Sequence, residues 1–186
     1  MTMRLGTTTV IAALALAWGS QAAADKPDAA TQVLLDKVAI VDLLGRYYGN
    51  FSSAGADFTG YYTDDATFDV NGHVAHGKQA IEGIYKGLAS TGDSPATRGT
   101  FHMLMTNPVV DVNGDSATAT LLWTGILNTR IDAPPRFVEQ GREYDRLVKR
   151  GGKWLIQKRV VIADSGLPAS FKDTYTPRRD YDISKD

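Results

Sequence analysis

The 186 residues contain no cysteine. That excludes disulfides, thiol nucleophiles, zinc–thiolate centres and iron–sulfur clusters, so stability has to come from a packed core. Charge of one sign is also missing. The formal net charge is -1, with 20 basic and 21 acidic residues, which gives no pull toward nucleic acid or an anionic membrane. No apolar run approaches the roughly twenty residues that cross a bilayer. There is no low-complexity tract, internal repeat, phosphate-cradling glycine loop or serine-nucleophile motif.

What is present suits an ordinary folded domain, 43% hydrophobic and 22% charged. The longest apolar run, Val10 to Trp18, follows Arg4 and precedes Ala22-Ala23-Ala24. This is the layout of a secretory signal over residues 1–24, with cleavage after Ala24 and export to the periplasm or medium. No twin arginine precedes the run and no lipid-anchoring cysteine follows it. After cleavage no membrane insertion is expected. Residues 25–30 form a polar leader, residues 31–164 one domain, and residues 165–186 an irregular polar tail.

Within the domain, Leu34, Leu35, Val38, Ile40, Val41, Leu43, Leu44, Tyr47 and Tyr48 recur at three- and four-residue steps. The pattern predicts an amphipathic helix from Thr31 to about Gly49 with a wide buried stripe, and Asp28 can cap it. Asp57 to Tyr62 suggests one helical turn, and Ala66 to Val70 a strand ending at the turn signal Asn71-Gly72. Ile81, Ile84 and Tyr85 place a second helix over Gly77 to Leu88, and Ser90 to Arg98 reads as a loop. Four long strands follow: Thr100–Val112, Ser116–Thr129, Arg136–Lys149 and Trp154–Ala163, the first two joined at Asn113-Gly114-Asp115. Helices followed by consecutive antiparallel strands predict an α+β fold. A cone-shaped curved antiparallel sheet would wrap the N-terminal helices and enclose a pocket.

These residues resemble a known family. Leu34-Leu35-Asp36 through Leu43-Leu44-Gly45-Arg46-Tyr47-Tyr48 is similar to the first helix of SnoaL-like proteins, in the nuclear transport factor 2-like superfamily. Asp64-Asp65-Ala66-Thr67-Phe68-Asp69 and Gly77-Lys78-Gln79-Ala80-Ile81 resemble the family's first strand and second helix. His102, Asn107-Pro108, Asp111, Asn113-Gly114-Asp115 and Ala117 resemble its middle strands. Tyr144-Asp145-Arg146-Leu147 through Gly152-Lys153-Trp154-Leu155-Ile156 and Arg159 resemble its last hairpin. The resemblance spans about Gln32 to Ile162. It implies a scytalone dehydratase- or ketosteroid isomerase-like fold and dimerisation through the outer sheet face. The superfamily includes dehydratases, isomerases and non-catalytic binders, so fold does not fix reaction.

His102 stands on the first long strand, placed by the two-residue period with Leu104, Thr106 and Val110. Its ordinary pKa suits proton transfer, and the resemblance implies a general base at this position. The alternative is a core histidine satisfied by a hydroxyl or carbonyl. Tyr47 and Tyr48 end the first helix. One should face the pocket, and Tyr48 is expected to donate its hydroxyl to a substrate oxygen. Relatives carry an Asp about five residues further on, whereas here the stretch is Phe51-Ser52-Ser53-Ala54, followed by Asp57.

Glu143 could restore the missing carboxylate as a cavity group, or form a cross-strand ion pair with Arg142, Arg146 or Arg159 on a solvated face. Asp69 and Asn128 are further polar candidates near the cavity. Tyr47, Phe51, Tyr62, Trp123 and Met103 or Met105 are candidate walls for a small apolar ligand, and Trp154 is a hairpin packing residue. His73 and His76 flank a turn without a convincing third ligand, so neither metal nor other cofactor is expected. Two functions follow: a cofactor-independent lyase or isomerase acting on a small apolar oxygenated molecule, or an exported binding protein of the same fold without turnover.

Overall fold

The computed structural model of the chain describes residues 27–53, 55–90, 98–177 and 181–186. The signal expected over residues 1–24, the first two residues of the expected leader and most of the loop expected at Ser90 to Arg98 lie outside these residues, and the last two leader residues already belong to the first helix.

Helix α1 spans Ala29–Gly49 and starts where Asp28 accepts the Thr31 amide at 2.8 Å. Strand β1 (Tyr62–Val70) turns into the short β2 (His73–His76), and helix α2 covers Gly77–Ser90. Four long strands follow: β3 (Thr100–Asn113), β4 (Ser116–Asn128), β5 (Arg136–Arg150) and β6 (Lys153–Ser165). They form one six-stranded sheet in the order β2-β1-β6-β5-β4-β3. Neighbours are antiparallel except β1 and β6, which pair in parallel. The α+β expectation therefore holds, with β1 and β2 extending the predicted meander at its β6 edge.

The inner sheet face meets α1 and α2. Ala117, Ala119, Leu121 and Trp123 of β4 are buried there at two-residue steps, with Ile156 and Leu147 beside them. The buried line of α1 is Asp36, Ile40, Leu44, Tyr47 and Tyr48. Leu34, Leu35 and Val38, expected in the buried stripe, are 64%, 52% and 68% exposed. The helix presents only one narrow face to the sheet. Asp36, one turn before Ile40 on the same helical face, is buried with it although it carries a carboxylate. It accepts hydrogen bonds from Lys149 Nζ (2.7 Å) and Trp154 Nε1 (3.0 Å), so the helix start is tied to the β5–β6 hairpin.

The expected helical turn is shorter, a 3-10 turn at Thr59–Tyr61. The polar tail carries two further 3-10 turns, at Ala169–Phe171 and Ile183–Lys185, and buries Phe171 and Ile183. Among the described residues, no helix is long and apolar enough to cross a membrane.

Candidate active site

The sheet and both helices enclose a cavity of about 550 Å³. That is ample for a drug-sized molecule, for which sites run roughly 300–1,000 Å³. Its walls are rich in aromatic rings, including Phe51, Phe58, Tyr85, Phe101 and Trp123. Phe58 stacks on Tyr85 at 4.3 Å between centroids. Polar side chains share the wall, and one pair of them joins a helix to the sheet. Tyr48 Oη donates to Glu143 Oε2 at 2.7 Å, from the end of α1 to the inner face of β5. Both residues line the cavity.

Behind this pair lies an ionic cluster that the sequence did not reveal. Arg159 on β6 is fully buried and donates through Nε to Asp145 Oδ1 at 2.8 Å. Its second nitrogen lies 3.0 Å from Glu143 Oε1, close enough for charge attraction but without hydrogen-bond alignment. The guanidinium also sits 3.8 Å from the Tyr47 ring centroid, a cation–π contact. The Glu143–Arg159 pairing was among the expected alternatives, but its predicted place was wrong. The pair is in the core, because Leu121, Glu143 and Val161 share a register row on the inner face.

These surroundings set the protonation states. Burial, then the negative charge of Asp145, push the Glu143 carboxyl well above its ordinary range, outweighing Arg159 and the Tyr48 hydrogen bond. Burial thus disfavours the ionised form of Glu143. Burial works against the Arg159 cation, but Asp145 and Glu143 hold it well above its usual value. Burial, followed by Glu143, keeps the Tyr48 phenol protonated far above the ordinary range.

Tyr47 also lines the cavity, so both tyrosines face inward and neither packs outward as expected for one of them. Tyr47 Oη meets Tyr85 Oη at 2.5 Å, and Tyr62 Oη meets the same oxygen at 2.9 Å. Tyr62 itself is buried beside Arg159 and does not line the cavity. Phe51, Trp123 and Met103 are in the wall as expected. Asp69 instead serves the β1–β2 turn, accepting the Gly72 amide at 2.9 Å, and Asn128 reaches the Thr100 carbonyl at 3.4 Å.

His102 is exposed and lies outside the cavity wall. Its neighbours Phe101 and Met103 point into the cavity, so the two-residue period turns His102 to the outer face. The expected grouping with Val110 fails at a bulge. Thr106 pairs with Leu122 but Val109 with Thr120, and Asn107 takes φ 52°. Past the bulge Val110 is buried while His102, Leu104 and Thr106 stay exposed. Pro108 inside the strand was the available signal. His102 Nδ1 lies 3.1 Å from Ser52 Oγ.

Sequence reasoning also missed Glu139, which lines the cavity four residues before Glu143. His73 and His76 occupy exposed positions of β2, and His76 Nδ1 meets Thr67 Oγ1 at 3.2 Å. Among the described residues, no three His, Asp or Glu side chains are grouped so as to hold a metal.

The SnoaL-like domain profile matches residues 32–160. No match was found among curated proteins. Among solved structures, Rv3472, a protein of unknown function from Mycobacterium tuberculosis, is 26% identical. The match covers 73% of this chain and 76% of that one, with a TM-score of 0.60. An NTF2-like protein with a cystatin-like fold from Novosphingobium aromaticivorans is 20% identical, covering 80% and 94%, at TM-score 0.63. A candidate scytalone dehydratase from the same organism is 16% identical, covering 80% and 93%, at TM-score 0.60. The last two likenesses speak for the fold alone. With the profile spanning most of the domain and the fold in agreement, this chain belongs to the SnoaL-like domain family.

Proposed function

We propose that the cavity is the active site of a cofactor-independent acid/base enzyme, of lyase or isomerase type, acting on a small, largely apolar, oxygenated molecule. The observation that carries this reading is the Tyr48–Glu143 pair inside an aromatic-walled cavity. A phenol and a carboxyl whose ionisation is disfavoured by burial can donate to an oxygen that gains negative charge in the transition state. In an elimination, a proton from this pair goes to the leaving hydroxyl, which departs as water. In an isomerisation the same pair holds the enolate oxygen. Arg159 and Asp145 act through Glu143: Arg159 holds it in place, and the charge of Asp145 adds to burial in disfavouring its ionised form. His102, on the outer face, has no part in this proposal.

The test is a panel of apolar β-hydroxy ketones and hydroxylated ring compounds, followed by NMR for binding and conversion. At least one should be dehydrated or isomerised, and Tyr48→Phe should slow that compound by about a hundredfold. The near-complete burial of Glu143, 1% exposed, favours a second reading, a binding protein without turnover. Ligands that bind throughout the panel and are never converted would establish that reading and end the first. Export and a homodimer through the outer sheet face complete the proposal. N-terminal sequencing of the exported protein should begin at Asp25, and light scattering should give twice the chain mass.

A further inference from the structure

Glu139 is a cavity carboxylate that nothing above has used. It lies on β5, where the two-residue period puts Glu139, Gly141 and Glu143 on the same inward face. Opposite it on β4 stands Gly125, whose missing side chain makes the room. A Cβ at Gly125 would lie 2.5 Å from Glu139 Cγ, 2.9 Å from its Oε1 and 2.9 Å from the Phe101 ring. On the other side the backbone of Gly166 closes in, where a Cβ would lie 2.6 Å from Glu139 Cβ. The side chain is thus confined by two glycines and a phenyl ring, with the cavity before it. Among the described residues, its carboxylate makes no hydrogen bond or ion pair.

The space between Glu139 and Glu143 has a defined shape. Their Cα atoms are roughly 13 Å apart at about 3.3 Å per residue. Trp123 fills the gap, because Gly141 lets its indole lie against the strand, and its Nε1 donates to the Arg142 carbonyl at 3.3 Å. A molecule lying against Trp123 therefore presents one end to Tyr48 and Glu143 and the other to Glu139.

We propose that Glu139 is the base of this cavity, taking a proton from a C–H bond of the bound molecule while its oxygen is held at the Tyr48–Glu143 end. The inference rests on the acid/base reading and supplies the acceptor that reading lacks. In the step, the C–H bond breaks and its proton goes to a Glu139 oxygen. The electron pair becomes the new double bond, and the charge it displaces leaves on hydroxide, as water, or rests on an enolate oxygen.

Other charges facing Glu139 are few. Burial lifts its carboxyl to about 7, and the Arg98 cation opposes that rise. Asp57, Glu82 and Lys86 stand elsewhere in the wall, and Glu143 lies deeper. The residues packed against it from β4, β3 and the loop after β6 are Gly125, Phe101 and Gly166, none of which titrates. A base with a midpoint near working pH combines a useful ionised fraction with proton affinity.

The test needs no knowledge of the natural substrate. The probe is 5-nitrobenzisoxazole, a neutral apolar bicycle. Removing its ring C–H breaks the N–O bond, leaves the electron pair on a phenolate oxygen and gives a coloured nitrile. The processed chain should convert it with saturation, and kcat/KM should rise with pH to a plateau with a midpoint near 7. Glu139→Gln should lower the rate at least a hundredfold while still binding the probe, and Glu139→Asp should recover part of it with the sigmoidal profile kept. His102→Ala should change neither rate nor midpoint.

No rate beyond that of free acetate, an unchanged Glu139→Gln variant, or a midpoint that moves with His102→Ala would each overturn the proposal. Failure on the probe while Tyr48→Phe abolishes turnover in the hydroxy-ketone panel would remove Glu139 as base and leave the acid/base reading standing. A Glu139-dependent probe reaction with no turnover anywhere in that panel would sustain the base and overturn the oxygen-donor reading.

Discussion

Glu139 carries a cost in the folded state. Its folded value, about 7, lies above the ordinary carboxylate value of 4.5. Below that ordinary value both folded and unfolded chains hold the proton, and nothing is lost. As pH rises from 4.5 to 7 the unfolded chain releases its proton freely while the folded chain resists, so stability falls. Above 7 the loss is complete. The shift of about 2.5 units corresponds to roughly 3 kcal/mol at most. Glu139→Gln removes the titration. The variant should match the parent near pH 4, and at pH 8 it should melt higher by roughly 5–8 °C, equivalent to about 2–3 kcal/mol. Parallel melting curves across that range would mean that the carboxylate is not desolvated. Nothing in the sequence announced this residue, because a glutamate next to Gln140 on a strand reads as solvent-facing. Glu143 and Tyr48 were legible as cavity candidates. Arg159 was legible as one possible partner of Glu143 but not as a buried one, since its place in the core shows only when Asp145 and Glu143 are seen around it.

At the scale of elements, helix boundaries and strand order were readable, because periodicity and turn residues act locally. Helix α1 was predicted from Thr31 and begins at Ala29, and β3 was predicted to Val112 and ends at Asn113. Which face of an element turns inward was less readable. On α1, Leu34, Leu35 and Val38 satisfy the helical period as well as Ile40 and Leu44 do. The choice was made at a distance, by the Lys149 and Trp154 donors that draw Asp36 into the core. Burial pushes the Asp36 carboxyl up, but the hydrogen bonds from Lys149, Trp154 and Gln32 together with the Lys149 charge lower it on balance. This anchor therefore stabilises the fold above the ordinary carboxylate range and is lost as pH falls below it. On β3 the decision hung on one bulge. A single unpaired residue reverses the facing of everything beyond it, so Val110 could not report on His102. The parallel β1–β6 pair was invisible for the same kind of reason, since its partners lie about ninety residues apart, as in Phe68 with Arg159.

For the molecule as a whole, the tail decides how closed the cone is. Residues after β6 read as an irregular polar extension, yet Pro168 and Phe171 complete the cavity wall. Phe171 is buried and borders both the main cavity and a neighbouring hollow of about 270 Å³ that includes His73 and Leu88. The strap is laced to the sheet. Thr174 Oγ1 donates to the Asn71 carbonyl at 3.1 Å, and Tyr175 Oη to the Ala163 carbonyl at 2.7 Å. Gly72, at φ 83°, leaves room that a Cβ would take from the Thr174 carbonyl. A lone phenylalanine in a polar stretch has no period to mark it as core, so its role could emerge only from the closed cone. If the strap keeps water from Glu139, then Phe171→Ala should join the two hollows and lower the Glu139 midpoint from about 7 toward 4.5. Carbon NMR of the Glu139 carboxyl reads that midpoint directly. Ile183→Ala provides the control. Ile183 is equally buried, but its carbonyl accepts from Arg146 on the outer face, so its loss should destabilise the fold without moving the midpoint. A midpoint that stays put in Phe171→Ala would show that Gly125, Phe101 and Gly166 suffice to desolvate Glu139, leaving the strap a purely structural part of the wall.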